Sequence, residues 1–136
     1  MSVKPPAPTL TPDKYRLAVT VNLPMTGDPD PLVCLPEGPV IWLIRNNDGK
    51  HGFDVTIDPA KFTHNGKKEH PFPKNDKLST HVAPGNYGVI ATTIKKGFTR
   101  DHFTYVIDVL QTGTGKPVRP IAIDPDLDVI DPNTGE

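Results

Sequence analysis

Residues 40–53 read VIWLIRNNDGKHGF, an apolar run followed by a polar loop that carries one His. The run from Val40 to Ile44 is apolar at every position, which is typical of a central β-strand covered on both faces. The turn-forming residues from Asn46 to Gly52 predict a loop after it. A second strand then begins at Phe53, because residues 53, 55 and 57 are apolar and alternate with polar neighbours. The segment therefore predicts two successive strands joined by a loop that contains a histidine.

Short apolar segments recur along the rest of the chain, and turn residues separate them. None carries a helical apolar stripe of useful length, so the pattern indicates an antiparallel β-sandwich or barrel. A long polar connection at 59–76 opens with a short helical turn, and a loop is predicted at 95–102. The other strands are predicted at 15–21, 32–35, 78–82, 87–94 and 103–110, with edge segments at 121–123 and 127–130.

A second motif, Ala83-Pro84-Gly85-Asn86-Tyr87, opens the strand predicted at 87–94. Together with the Asn-rich loop, it resembles the copper-binding β-sandwiches called cupredoxins. The resemblance implies that His51 stands where that family has its first copper ligand. We therefore predict an all-β fold, an antiparallel Greek-key β-sandwich that is cupredoxin-like. An immunoglobulin-like sandwich shares the same strand pattern and stays open as the alternative.

The same resemblance implies a Cys ligand four residues after Tyr87, where this chain has Ala91, and a second His near the position of Ile94. A blue-copper centre needs a thiolate and two imidazoles around the metal. The single Cys of the chain, Cys34, precedes the strand at 40–44 whereas His51 follows it. Seven residues of strand should separate the two by roughly 20 Å. The chain is therefore expected to lack a type 1 copper centre.

The 136 residues fit one domain. Residues 1–13 are Pro-rich and are predicted to form an N-terminal tail, residues 14–131 a single β-sandwich domain, and residues 132–136 a C-terminal tail. The single Cys excludes an internal disulfide.

The net charge is −1, so no global electrostatic field favours nucleic acid or an anionic membrane. No apolar run approaches the ~20 residues of a membrane span, and no secretory signal opens the sequence. We expect no nucleic-acid or membrane partner and a cytoplasmic protein as the sequence is written, with a trimmed exported protein as the other reading.

Two histidines and two carboxylates form the candidate metal site. On a cupredoxin-like scaffold the loops at 46–52 and 95–102 are expected at the same pole, where His51 and Asp48 would meet His102 and Asp101. Two imidazoles with one or two carboxylates suit copper or zinc. The competing interpretation is two solvated loop histidines and no cofactor.

A basic loop forms the candidate partner-binding site. Lys95, Lys96 and Arg100 surround Phe98, and an aromatic residue at the tip of a polar loop often marks a contact surface. Solvated surface charge is the simpler interpretation.

Hydrolytic chemistry has little support. Ser79 and His81 share a predicted strand face, but no Gly-rich elbow or oxyanion hole accompanies them. We therefore expect a non-catalytic binding or interaction module with a protein or small-molecule partner, for which a homodimer is also open. The alternative is a copper- or zinc-binding protein that uses His51 and His102 without a thiolate.

Overall fold

The computed structural model describes residues 15–23, 30–112, 116–117 and 125–131, and the backbone alone at 116–117. Apart from one 3-10 turn at Pro59–Lys61, all of its regular elements are strands, which confirms the all-β prediction. The strands are β1 (Ala18–Leu23), β2 (Leu32–Cys34), β3 (Pro39–Asn46), β4 (Phe53–Ile57), β5 (Thr63–His64), β6 (Lys67–Lys68), β7 (Leu78–Val82), β8 (Tyr87–Thr93), β9 (Arg100–Thr104), β10 (Asp108–Gln111), β11 (Lys116–Pro117) and β12 (Asp126–Ile130).

These strands form three sheets, with the orders β1-β3-β8, β11-β10-β4-β7 and β2-β12-β9-β5-β6. β3 is central in its sheet, as its apolar sequence predicted. Two of the three sheets are mixed, because β1 pairs with β3 in parallel and β2 pairs with β12 in parallel, whereas the sheet β11-β10-β4-β7 is antiparallel throughout. The expectation of a purely antiparallel architecture is therefore wrong at these two pairs. Because β2 belongs to another sheet, the chain crosses over between β1 and β3 and returns in the same direction.

Two strand predictions need correction. The segment at 103–110 is not one strand, since β9 ends at Thr104 and β10 begins at Asp108 in a different sheet. The segment at 127–130 is not an edge, since β12 lies between β2 and β9. Residues 121–123 and the predicted tails at 1–13 and 132–136 lie outside the described residues.

The polar connection at 59–76 contains more structure than expected. Asp58 caps the 3-10 turn by accepting a hydrogen bond from Ala60 N–H at 3.0 Å. β5 and β6 then form a hairpin whose turn residues, Asn65 and Gly66, have positive φ angles of 53° and 78°. Such a pair of positive angles is typical of the Asn-Gly hairpin turn.

One hydrophobic cluster takes buried side chains from all three sheets, an arrangement compatible with a β-sandwich. Four aromatic residues occupy part of it. Trp42 Nε1 donates to Tyr105 Oη at 3.0 Å, Phe62 stacks on Tyr105 with ring centroids 4.9 Å apart, and Phe72 meets the Trp42 ring edge-on. The buried indole N–H thus has its acceptor in the phenol oxygen. Among the described residues, no helix has the length and apolar character needed to cross a membrane.

Candidate functional site

The loop between β3 and β4 is built around Asn46, which is only 2% exposed. Its Nδ2 donates to the carbonyl oxygens of His51, Ala83 and Val82, at 2.8, 3.1 and 3.3 Å. Its Oδ1 accepts from the backbone N–H of Asp48 at 2.9 Å. The amide therefore satisfies four backbone groups and ties the loop to the end of β7.

Asp48 and His51, two of the four predicted metal ligands, are in contact. Asp48 Oδ2 lies 2.9 Å from His51 Nδ1, and Asp48 Oδ1 accepts from the backbone N–H of Lys50 at 2.7 Å. The hydrogen bond from Lys50, followed by that from the His51 side chain, holds the pKa of Asp48 below its usual range. The carboxylate is thus ionised at neutral pH and orients the imidazole.

The two motifs that carry the cupredoxin resemblance are neighbours. Asn46 N–H donates to Asn86 O at 2.9 Å, and Gly85 N–H donates to Asp48 O at 3.1 Å. The Asn-rich loop and the Pro-Gly turn therefore share one end of the molecule, which we call the His51 pole (residues 46–52 and 83–87).

β8 leads away from the His51 pole. It runs antiparallel to β3, from Tyr87 opposite Arg45 to Thr93 opposite Pro39. Ala91, the position expected for a copper-binding thiolate, pairs with Ile41 and is exposed. Because about four residues of strand separate it from the pole, roughly 13 Å, a cysteine at position 91 would not meet His51. The strand that does return to His51 is β10, since Thr112 N–H donates to Gly52 O at 3.0 Å.

The loop that follows β8 lies at the other end of β3. Ile94 N–H donates to Gly38 O at 2.9 Å, and Lys95 N–H donates to Pro71 O at 2.8 Å. The expectation that residues 46–52 and 95–102 meet at one pole is therefore wrong. The seven residues of β8 stand between the two segments.

His102 consequently has other neighbours than His51. It lies on β9 rather than in a loop, and its Nδ1 is 2.6 Å from Asp128 Oδ1 while its Nε2 is 3.5 Å from Asp126 Oδ1, both on β12. The side chain is 57% exposed. This contact depends on the register that sets His102 opposite Asp128.

Asp101 contacts His64, which no sequence pattern singled out. His64 lies between two carboxylates, with Nε2 3.0 Å from Asp101 Oδ1 and Nδ1 2.6 Å from Glu69 Oε1. Its ring also stacks on Phe103, with centroids 4.6 Å apart. Asp101 therefore anchors the β5–β6 hairpin.

The four predicted ligands thus separate into three contacts: Asp48 with His51, His102 with β12, and Asp101 with His64. Within the described part of the chain, no group of three or more His, Cys, Asp or Glu side chains is placed to hold a metal ion. Copper or zinc binding by the chain stays a prediction.

Phe98 is not the exposed tip of the basic loop. It is 8% exposed and belongs to the hydrophobic core, where it meets Phe103 edge-on with centroids 5.3 Å apart. Lys95 Nζ lies 5.9 Å from its ring centroid on the outside. Lys95, Lys96 and Arg100 are exposed as expected. The loop therefore presents positive charge without an aromatic surface.

Sequence reasoning missed the surroundings of Gly52. A Cβ at this buried position would lie 2.9 Å from Thr112 Oγ1 and 3.2 Å from His81 Cε1, so only glycine fits without a shift. His81 Nδ1 is 2.8 Å from Asp54 Oδ1. The outward positions of β4 and β7 could have suggested this pair. In the described residues no hydrogen bond joins His81 to Ser79.

Among the described residues, the most exposed large apolar side chains, Tyr87 and Val89, lie on the three-stranded sheet. In the three-stranded sheet, alternate residues point away from the core. Tyr87 is 57% and Val89 56% exposed, and Ile41 and Leu43 beside them are only partly buried. We call this the outer sheet face, and it comprises Ala18, Thr20, Asn22, Pro39, Ile41, Leu43, Arg45, Tyr87, Val89, Ala91 and Thr93.

The register makes the outer sheet face continuous. Leu43 lies opposite Val89, and Ile41 lies opposite Ala91. Its one charged residue, Arg45, sits at the corner with its guanidinium carbon 5.8 Å from the Tyr87 ring centroid. The prediction that both faces of β3 are covered is therefore only half correct, because the face with Ile41 and Leu43 is partly open.

No protein-family model matches the chain, and no curated protein matches its sequence significantly.

Proposed function

We propose that the chain is a non-catalytic interaction module on a cupredoxin-like Greek-key scaffold without a type 1 copper site, and that it binds a protein partner through the outer sheet face. The observation that carries the proposal is a continuous apolar row in which Val89 and Tyr87 are exposed and Ile41 and Leu43 are partly buried. Large apolar residues exposed side by side, with charge only at the rim, are typical of interaction surfaces.

Two further observations support the scaffold and the lack of copper. The Asn-rich loop and the Pro-Gly turn are hydrogen-bonded to each other, as expected if the resemblance is structural. Cys34 is fully buried beside β12, and burial, with a smaller contribution from Asp128, raises its pKa to about 12. A thiol of this kind is a poor source of the thiolate that type 1 copper needs.

The flatness of the surface decides what it can bind. A sheet face offers no deep groove, so affinity must come from large side chains such as Tyr87 rather than from enclosure. The pair of Arg45 and Tyr87 adds polar, hydrogen-bonding groups at one end of an aliphatic surface. The geometry thus favours a flat protein surface as the partner.

The test is site-specific photocrosslinking in the native cell. We expect a photoreactive amino acid at position 89 to give a discrete adduct, and the same group at the exposed Ser79 of β7 to give none. Mass spectrometry of the adduct identifies the partner, with a doubled chain mass as the result for a homodimer.

The purified pair then allows a quantitative check. Val89→Lys places a charge in the row and should weaken binding at least about tenfold, whereas Ser79→Lys should leave it unchanged. Equal crosslinking at both positions, or no adduct at position 89, would overturn the proposal.

A further inference from the structure

A cleft lies between the segment 72–78 and the end of β8, far from Tyr87. Its volume is about 320 Å³, at the small end of the range of roughly 300–1,000 Å³ for ligand sites. Its lining includes two apolar residues, Phe72 and Leu78, two threonines, Thr92 and Thr93, and two residues of opposite charge, Lys74 and Asp76. This is the composition of a site for a small molecule that is part apolar and part charged.

The apolar surface of the cleft is preformed. The Phe72 ring is fixed edge-on against Trp42, at 6.2 Å between centroids and 76° between planes, and against Phe62, at 5.0 Å and 85°. Only 2% of Phe72 is exposed, so most of its ring belongs to the core. Phe72 is therefore a fixed floor of the cleft, and the half-buried Leu78 is the apolar side chain that a ligand can cover. Neither the floor nor its packing has to be ordered on binding.

The loop that carries the charges is also held in place. His70 Nδ1 accepts from Phe72 N–H at 3.1 Å, so Nδ1 carries no proton and the neutral ring has its hydrogen on Nε2. Nε2 then donates to Asn75 Oδ1 at 2.7 Å. The imidazole bridges both ends of the segment 70–75, and the bond from Lys95 N–H to Pro71 O fastens its start. His70 is thus a positioning residue for the cleft.

The charged groups of Lys74 and Asp76 are free to meet a ligand in the cleft. Lys74 and Asp76 are exposed, and neither makes an ion pair or side-chain hydrogen bond to another residue in the described ranges. Because both line the same cleft, they offer it one cation and one anion. A ligand that carries a carboxylate and an ammonium group complements this pair.

We infer that the cleft binds a small zwitterion with a short aliphatic side chain, the chemistry of a free aliphatic α-amino acid. The carboxylate meets Lys74, the ammonium meets Asp76, and the aliphatic part lies against Leu78, above the floor that Phe72 forms. The cleft shares Thr93 with the margin of the outer sheet face. It contains none of the apolar residues Ile41, Leu43, Tyr87 and Val89 that carry the function proposed for that face, so the inference does not depend on that function.

The experiment is an NMR titration of the full chain with L-leucine, compared with 4-methylpentanoate, which lacks the ammonium, and isoamylamine, which lacks the carboxylate. We expect leucine to bind at least about tenfold more tightly than either analogue, with shifts at the amides of Phe72, Leu78, Thr92 and Thr93.

Charge variants test the assignment. Lys74→Met should weaken leucine binding about tenfold and leave isoamylamine unaffected, and Asp76→Asn should weaken leucine and leave 4-methylpentanoate unaffected. Lys77→Met, one residue beyond Asp76 and outside the lining, is the matched control and should bind as the unaltered chain does. No shifts at the cleft with leucine up to about 10 mM, equal binding of the three compounds, or leucine binding that ignores both variants would overturn the inference.

Discussion

At the scale of single residues, Asn46 shows how one side chain fixes a loop. Of the described residues with polar side chains, it is the one in the buried class, and its amide satisfies backbone groups on two segments. A buried polar group is costly when unsatisfied and stabilising when fully bonded. The Asn46 amide therefore holds the His51 pole together through hydrogen bonds between protein atoms.

Removal of this amide should lower the stability of the whole domain. We expect Asn46→Ala to lower the free energy of unfolding by about 2–4 kcal/mol, because backbone acceptors and the Asp48 N–H lose their partner. Urea denaturation measures the change. The exposed neighbour gives the control: Asn47→Ala should shift the free energy by no more than about 0.5 kcal/mol. Equal effects of both variants would contradict the role assigned to Asn46.

At the scale of elements, the local alternation of apolar and polar residues predicted most of the strands. It failed to predict where a strand ends because the chain passes from one sheet to another. β4 begins at Phe53 as predicted, because Phe53, Val55 and Ile57 face the core in strict alternation. The prediction at 103–110 failed because residues 103, 105, 107 and 109 are all buried, so the period of two continues across the break between β9 and β10. The alternation of buried and exposed residues does not show to which sheet each residue belongs.

The same limit of sequence patterns explains which contacts of the candidate site could be predicted and which could not. The contact of Asp48 with His51 is local in sequence and could be anticipated. The pairing of His102 with Asp128 needed the register of β9 against β12, which one sequence does not display. Asn65-Gly66, in contrast, is a recognised hairpin signal that was present in the sequence and not used.

The hydrogen bonds of His70 to Phe72 and Asn75 lead to a prediction for the segment 70–75. His70→Leu removes the acceptor of Phe72 N–H and the donor to Asn75, so we expect the Phe72 amide to exchange hydrogen at least about tenfold faster. Hydrogen exchange followed by NMR measures this rate. His81→Leu, a change at an exposed histidine of β7, should leave the Phe72 amide as it was. Unchanged exchange in His70→Leu would mean that the core contacts of Phe72 alone hold the segment.

At the scale of the whole molecule, three sheets share one core, and Cys34 reports on its integrity. The side chain is fully buried, and burial raises the pKa of the thiol to about 12. We expect the folded protein to react with a thiol reagent at pH 8 orders of magnitude more slowly than the urea-unfolded chain, since only about one thiol in 10⁴ is ionised. Labelling rates measured against urea concentration should follow global unfolding. Native labelling as fast as that of a free thiol would show that β2 opens on its own.

The order of the five-stranded sheet has a consequence for self-association. Its last strand, β6, consists of Lys67 and Lys68, and both are exposed. A strand of two residues offers few free backbone groups, and two ammonium groups repel a second copy of the same edge. Fibril growth by strand addition is therefore discouraged at this border, where a longer and uncharged β6 would invite it.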